Sequence, residues 1–187
     1  ETDSLEVIES VEILKGKTSD DLWTVCRELS CRMLMLAGIG DKDECGRLVD
    51  EAVESGEALK HFEMMVKLQG GDVSYIEDTS KFRKASFSRE VYAPADGYIT
   101  HMDSEKIGLT AVLLGAGREK KDDDINHAAG IIIAAKTGDF VKRGELLATL
   151  FADDESRLDG AESRYLSAVS IGDKKPAEQP MILDYID

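Results

Sequence analysis

The residues with the most varied chemistry lie together between positions 113 and 130, in the sequence LLGAGREKKDDDINHAAG. A glycine-rich turn beginning at Gly115 leads into Arg118, whose guanidinium group could bind an anion through two parallel hydrogen bonds. The turn is too short for a nucleotide-binding P-loop, which needs G-x-x-x-x-G-K-S/T, and the chain has no GxGxxG motif. Two interpretations of Gly115 to Arg118 stay open: an anion site, or a simple turn after a strand.

Three consecutive aspartates, Asp122 to Asp124, follow in the same stretch. Calcium-binding EF-hand loops instead alternate their ligands around a central glycine. Adjacent side chains of an extended chain point to opposite faces, so three aspartates in a row converge poorly on one ion. We therefore expect a solvated charge run that Lys120 and Lys121 compensate, and we expect the nearby His127 to be a hydrogen-bonded structural residue.

No other group of residues predicts catalysis. His61 and His101 lie in different segments, and no Ser-His-Asp or Cys-His arrangement can be assigned, so we name no catalytic residue. The cysteines contain no C-x-x-C pair, which argues against a zinc site or a redox dithiol. Cys26 and Cys31 lie in an apolar helical stretch, where we expect buried free thiols that suit a reducing cytoplasm.

Composition excludes several classes of partner. The 187 residues carry a net charge of −15, which opposes non-specific binding to nucleic acid or to an anionic membrane. No apolar run approaches the roughly 20 residues that a membrane-spanning helix needs. The first residues, ETDSLEV, have neither the basic nor the apolar region of a signal peptide. We therefore expect a cytoplasmic protein.

Helical periodicity dominates the first part of the chain. Apolar residues recur at roughly helical spacing in four segments that end on glycine: 4–16, 20–38, 41–56 and 57–71. The second segment is apolar on more than one face, which predicts a central helix. A polar connector follows at about 70–85.

Alternation typical of strands begins at about residue 85. Residues 86–103 predict strands joined by a turn at Pro94 to Gly97, and residues 128–152 predict two apolar strands around GDFVKRG. A helix interrupted near Gly160 is expected within 155–172, and a short strand within 180–187. The fold class predicted from these patterns is α+β.

The segment GDFVKRGELLATL at 138–150 is similar to half of a barrel-sandwich module, such as a biotinyl or lipoyl carrier domain. Those carriers display a lysine on an exposed hairpin in a Met-Lys-Met or Asp-Lys-Ala context, and this chain has no such lysine. A non-enzymatic binding or carrier-type module is therefore the alternative interpretation. A third is an unrelated phosphate-binding regulator that uses Gly115 to Arg118.

Five segments in order resemble the C-terminal part of the pyrimidine-nucleoside phosphorylase family, which includes thymidine phosphorylase. They are LEVIESVEILKG at 5–16, FEMMVKLQGGD at 62–72, APADGYI at 93–99, IGLTAVLLGAGREKKDDDINHAAGI at 107–131 and GDFVKRGELLAT at 138–149. The order of QGGD, LGAGR and GD-x-V-x-x-GE-x-L is specific, and the resemblance covers essentially the whole chain.

The resemblance implies a transferase, a pentosyltransferase of pyrimidine salvage, that converts a pyrimidine nucleoside and phosphate into the free base and pentose 1-phosphate. It implies a homodimer without an organic cofactor, with phosphate as co-substrate and the active site in a cleft between an all-α and an α/β domain. Residues 1–76 would be the helical part of the α/β domain. Residues 85–187 would be the β-rich C-terminal domain, which is hammerhead or barrel-sandwich-like.

In the family, the phosphate-binding loop and the residues that hold the pyrimidine belong to the N-terminal half. This chain resembles only the C-terminal portion, so the resemblance predicts a fragment that is inactive alone and that self-associates through uncovered apolar faces. It also implies that Glu9 supplies an oxygen ligand to a structural potassium ion whose other ligands are mostly backbone oxygens upstream, leaving the site empty here. The alternative is an exposed first-turn glutamate favoured by the helix dipole. The loop at 113–130 would lie over the mouth of the cleft.

Overall fold

The computed structural model describes residues 4–17, 21–118, 121 and 124–185. The chain divides into two compact units. The strand unit comprises the described residues of 1–6 and 83–178, and the helical unit comprises those of 7–82 and 179–187. None of the described helices is long and apolar enough to cross a membrane. The domain boundaries expected from the sequence, 1–76 and 85–187, stay a prediction.

The four helices that the sequence predicts are confirmed. They are α1 (Ser4–Leu14), α2 (Asp21–Leu36), α3 (Lys42–Glu54) and α4 (Glu57–Leu68). Helix α3 begins where the Asp41 side chain accepts a hydrogen bond of 2.9 Å from the Glu44 N–H, which satisfies a donor that the helix leaves free. Gly56, with φ of 77°, separates α3 from α4 in a conformation that only glycine adopts readily. The connector holds a short helix, α5 (Ser74–Glu77).

The strand unit contains two antiparallel sheets of three strands, which confirms the α+β fold class. Its strands are β1 (Phe87–Tyr92), β2 (Gly97–Met102), β3 (Gly130–Ile133), β4 (Phe140–Val141), β5 (Leu146–Ala152) and β6 (Val169–Gly172). One sheet has the order β1-β5-β3 and the other has the order β4-β2-β6. The two apolar strands expected around GDFVKRG are confirmed as β3 and β5, and the structure pairs them antiparallel.

The strands joined by a turn that are expected within 86–103 are confirmed as β1 and β2, but the two belong to different sheets and do not pair. After β1, the Ala93 N–H donates to the Glu145 carbonyl at 2.8 Å, and the Ala93 carbonyl accepts from the Gly144 N–H at 2.9 Å. These two hydrogen bonds hold Ala93 against the residues that directly precede β5. A Cβ atom on Gly97 would lie 2.6 Å from Ile171 Cγ2, so only glycine lets β2 approach β6 this closely.

The residues before Gly115 are helical from Ser104 onward, whereas the sequence interpretation placed a strand before the glycines. Helix α6 (Ser104–Ala111) begins where the Asp103 side chain accepts from the Lys106 N–H at 3.1 Å, and a single π turn (Val112–Ala116) continues it. Short apolar runs such as GLTAVLL fit a strand and a buried helix equally well.

Two further expectations near the C-terminus are wrong. Helix α7 (Leu158–Ala168) runs through Gly160 without a break, because a glycine in a helix lowers stability without forcing an interruption. The last residues of the predicted helix form β6 instead. The described residues of the predicted terminal strand, 180–185, form no strand.

The main core lies in the strand unit. Its largest fully buried side chains come from both sheets, α7 and the π turn: Val91, Ile99, Leu114, Val141, Leu147, Leu150, Leu158 and Tyr165. Burial raises the pKa of Tyr165 to about 12, because the protein interior disfavours the phenolate. This core holds β5 against α7 and fixes the ends of the loops that carry the polar residues described next.

Helix α2, which is predicted to be central, leaves part of its apolar surface exposed. Its side chains Leu29, Met33 and Leu36 are 58%, 63% and 89% exposed. Cys26 is exposed as well, contrary to prediction, while Cys31 and Cys45 are buried and all three thiols are free.

Candidate functional site

Glu9, the predicted potassium ligand, lies in the second turn of α1 with an exposed side chain. Its exposure agrees with the alternative interpretation, but its position does not, since Glu6 is the acidic residue of the first turn. Across the described part of the chain, no three His, Cys, Asp or Glu side chains come close enough together to hold a metal ion. The role of Glu9 as a potassium ligand stays a prediction.

Gly115 makes a turn, as the second of the two interpretations of Gly115 to Arg118 predicts. Its φ of 108° lies in the region that favours glycine, and its carbonyl accepts a hydrogen bond of 2.9 Å from the Asn126 N–H. The Leu113 carbonyl accepts from Arg157 Nη1 at 3.2 Å, which holds the π turn from the other side. Arg118 is exposed, and its anion-binding role stays a prediction.

The structure describes only part of the charge run. Lys120, Asp122 and Asp123 lie outside the described residues, whereas Lys121 and Asp124 are exposed. The His127 carbonyl accepts a 2.9 Å hydrogen bond from the Ser4 N–H at the start of α1. Its ring differs from the expectation of a hydrogen-bonded residue, because Nδ1 is buried and has no hydrogen-bond partner among the described residues. His61 and His101 are exposed.

The structure brings together a polar group that the sequence did not reveal, which we call the Asp153 cluster: Arg83, Ser86, Asn126 and Asp153. One carboxylate oxygen of Asp153 accepts from the Ser86 N–H at 2.8 Å and from the Ser86 hydroxyl at 2.9 Å. The other oxygen accepts from Asn126 Nδ2 at 2.8 Å and from the Arg83 guanidinium group. These residues come from the connector and the start of the segment after it, the loop before β3 and the end of β5. No motif in the sequence therefore predicts that they lie together.

Hydrogen bonds to Ser86, first of all the one from its backbone N–H, hold the pKa of Asp153 below its usual value, and Arg83 lowers it further. Both carboxylate oxygens are engaged, and Asn126 Oδ1 accepts from Arg83 Nη1 at 3.2 Å and from the Ala128 N–H at 3.1 Å. A carboxylate that is satisfied in this way is a poor base or ligand. Its role is structural, because through Asn126 it holds together both ends of the loop that starts at Gly115.

A second candidate is an apolar groove of about 650 Å³ within the helical unit, which we call the helical groove. All four long helices contribute to its lining, among them Leu14 of α1, Trp23 and Met33 of α2, Ala52 of α3 and Phe62 of α4. The exposed Cys26 also lines it. Such a surface can bind apolar groups, and its described lining includes no histidine or carboxylate that could act as a general acid or base.

Comparisons with known proteins identify the relatives of this chain. Residues 98–172 match the family model described as Pyrimidine nucleoside phosphorylase C-terminal domain. A pyrimidine-nucleoside phosphorylase of Bacillus subtilis (strain 168) is 39% identical over 154 residues, which cover 82% of this chain and 36% of the relative. One from Geobacillus stearothermophilus is 32% identical over 181 residues, covering 96% and 41% respectively. One from Staphylococcus aureus (strain COL) is 35% identical over 171 residues, covering 91% and 39%.

The two kinds of match extend differently along the structure. The family model spans β2 to β6 and so includes the Gly115 turn, Asn126 and Asp153. The alignment of 181 of the 187 residues reaches over the helical unit as well. The chain spans about two fifths of the length of these curated relatives.

Proposed function

Because this chain belongs along most of its length to the pyrimidine-nucleoside phosphorylase family, we propose that it forms the C-terminal part of an enzyme that cleaves pyrimidine nucleosides with phosphate. The observation that carries this proposal is the alignment of 181 residues to the Geobacillus stearothermophilus relative. In the reaction, a phosphate oxygen forms a bond to C1′ of the pentose while the bond from C1′ to the pyrimidine nitrogen breaks. The products are the free base and pentose 1-phosphate, which makes the whole protein a pentosyltransferase.

The residues of this chain supply a scaffold for that reaction. Cationic side chains and backbone N–H groups must stabilise the phosphate and the departing base. In the parts that the structure describes, the Asp153 cluster is satisfied internally and the helical groove is apolar, so neither offers such a site. We therefore propose that the catalytic groups reside in the other three fifths of the family's polypeptide, and that these 187 residues are inactive alone.

The remaining properties of the proposed enzyme follow from the same family membership. Phosphate is its co-substrate, a homodimer is its assembly and the cytoplasm is its location. Glu9 is one ligand of a structural potassium ion, to which a hard carboxylate oxygen is suited. Replacing Glu9 with Gln in the whole enzyme removes the stabilisation of thermal unfolding by potassium, while the response to sodium, measured in parallel, is the control. An unchanged potassium response would remove Glu9 from the site.

The main experiment uses two proteins. The first is the 187-residue chain, and the second joins it to the part of the Geobacillus stearothermophilus relative that it does not match. Uridine and thymidine are supplied with and without phosphate, and the free base is quantified. We expect phosphate-dependent release from the joined protein alone. Release by the 187-residue chain contradicts its inactivity, and a folded but inactive joined protein contradicts the proposed function.

A further inference from the structure

We infer that the end of the chain is a strap, which the ring of Tyr185 fastens to helices α2 and α3. The ring binds a seat of three charged residues, which we call the Tyr185 seat: Glu28, Arg32 and Lys42. The strap keeps the second half of α2 against the start of α3 and so limits access to the buried thiol of Cys31. All of these residues belong to the helical unit, and the inference is independent of the proposed function.

Two cations flank the ring of Tyr185. The guanidinium carbon of Arg32 lies 3.9 Å from the ring centroid, and Nζ of Lys42 lies 5.1 Å from it. A cation within about 6 Å of an aromatic ring is attracted to the face of that ring, and a planar guanidinium group also stacks on it. One aromatic side chain therefore bridges Arg32, in the second half of α2, and Lys42, the first residue of α3.

Glu28 holds the two cations together. Its carboxylate accepts a hydrogen bond of 2.8 Å from Arg32 Nε and lies 3.8 Å from Lys42 Nζ, and its side chain is only 14% exposed. The hydrogen bond with Arg32, and after it one with Tyr185, hold the pKa of Glu28 below its usual value. The contacts of Glu28 with the two cations do not involve the tail of the chain, so the seat does not need the tail in order to form.

The tail around Tyr185 is irregular and mostly exposed. Residues 173–185 form no helix or strand, and the tail re-enters the helical unit at Gln179. Met181 and Leu183 are 47% and 80% exposed. Ordering such a segment costs conformational entropy, which specific contacts must offset. We therefore assign the docking of the tail to the contacts of Tyr185 with its seat.

Cys31 lies beside the seat. It precedes Arg32 in α2, it is 1% exposed, and its thiol donates a hydrogen bond of 3.4 Å to the Lys42 carbonyl. Separation of α2 from the start of α3 breaks this hydrogen bond and exposes the thiol. Because Tyr185 spans the same junction, release of its ring makes that separation more frequent.

The rate of maleimide labelling at Cys31, followed by mass spectrometry of peptides, measures this local opening in the 187-residue chain. We expect Tyr185→Ala to speed the labelling about tenfold, because it removes both contacts between the ring and the cations. Tyr185→Phe keeps the ring and should retain most of the protection. Leu183→Ala is the matched control, because Leu183 is an apolar residue of the same tail and is 80% exposed. It leaves labelling slow.

A double-mutant cycle separates the strap from a general loss of stability. Arg32→Ala should also speed the labelling of Cys31. In the chain that carries Arg32→Ala and Tyr185→Ala together, we expect a smaller acceleration than the product of the two separate ones, since both substitutions remove the same contact. Two independent effects would instead multiply.

Four results would overturn the inference. They are unchanged labelling in Tyr185→Ala, an equal acceleration in Leu183→Ala, and accelerations by Arg32→Ala and Tyr185→Ala that multiply. The fourth is labelling of Cys31 in the unsubstituted chain that slows as the concentration rises, because the ring on the seat would then come from a second copy. Fast labelling in Tyr185→Ala, with a smaller effect than the product in the cycle and no dependence on concentration, supports the strap.

Discussion

The strand unit and the helical unit differ in how much apolar surface they enclose. Of the hydrophobic side chains that are buried among the described residues, the strand unit holds 16 and the helical unit 6, although the two are not far apart in length. The strand unit packs two sheets, α6 and α7 around one core. The helical unit leaves Leu29, Met33 and Leu36 on the outside of its longest helix.

This difference shows that a unit can form regular secondary structure without enclosing a complete apolar core. Both units have well-formed elements, yet the strand unit covers more of their apolar side chains with its own residues, although Ile132 and Phe140 stay 49% and 52% exposed. Most of the stability of a helix in a protein comes from packing of its apolar face. We therefore expect substitutions to be costly in the strand unit and inexpensive on the open faces of the helical unit.

The largest predicted effect compares one substitution at two leucines. Leu150 on β5 is 0% exposed, so Leu150→Ala leaves a cavity and lowers the free energy of unfolding by about 2–5 kcal/mol. Leu36 on α2 is 89% exposed, so Leu36→Ala changes it by less than about 0.5 kcal/mol. Urea denaturation of the 187-residue chain measures both. Equal losses at the two positions would show that α2 is covered in solution.

The second prediction concerns the Asp153 cluster. Asp153→Ala removes the acceptor of four hydrogen bonds and lowers the free energy of unfolding by about 1–2 kcal/mol, since the carboxylate remains partly solvated. The pKa of Asp153 is depressed in the folded state, so its contribution is fully present above the unfolded pKa of about 4 and is lost as the pH falls through the folded value.

Denaturation at a series of pH values below 5 tests this dependence, with Asp153→Asn as the control. The amide keeps one acceptor oxygen but does not titrate. The variant should therefore be less stable at neutral pH and should approach the unsubstituted chain at low pH. Parallel pH profiles of the two proteins would show that Asp153 does not carry the acid response.

The smallest predicted effect lies in the helical unit. Arg27 on α2 donates two hydrogen bonds of 2.6 Å to the carboxylate of Asp50 on α3. Both side chains are about one-third exposed, so Arg27→Ala costs only about 0.5–1 kcal/mol, and added salt reduces the difference. Arg27→Lys keeps the charge but loses the paired geometry, and should recover part of the loss. Denaturation at low and high salt measures it, and a loss above that of Leu150→Ala would reverse the ranking of the units.

The sequence predicted those parts of the fold that depend on neighbours along the chain. The four long helices were predictable because a period of 3.6 residues and terminal glycines such as Gly56 are local signals. The assignment of β1 and β2 to different sheets was not predictable, because turn residues indicate a bend but do not indicate which strand pairs with the next one. That partner depends on contacts such as the one from Ala93 to Glu145, fifty-two positions later in the chain (145 − 93).

The same limit applied to the candidate site. Asp153 and Arg83 are 70 positions apart and meet only in the folded chain, so no motif announces their cluster. The exposure of α2 was missed for a related reason. Periodicity reports which face of a helix is apolar, but it does not report whether this chain holds the residues that cover that face.

The position of β5 in the middle of its sheet governs how quickly the strand unit can fold. Its neighbour β1 lies far from it along the chain, since Ser86 and Asp153, next to the ends of the paired strands, are 67 positions apart. Closing such loops costs entropy before any pairing is gained, and folds with distant contacts form slowly. During synthesis, β1 has no partner strand until β5 has emerged. Unpaired strand edges promote aggregation. The strand unit, which is the better packed of the two once it has folded, is therefore exposed to aggregation until β5 is made.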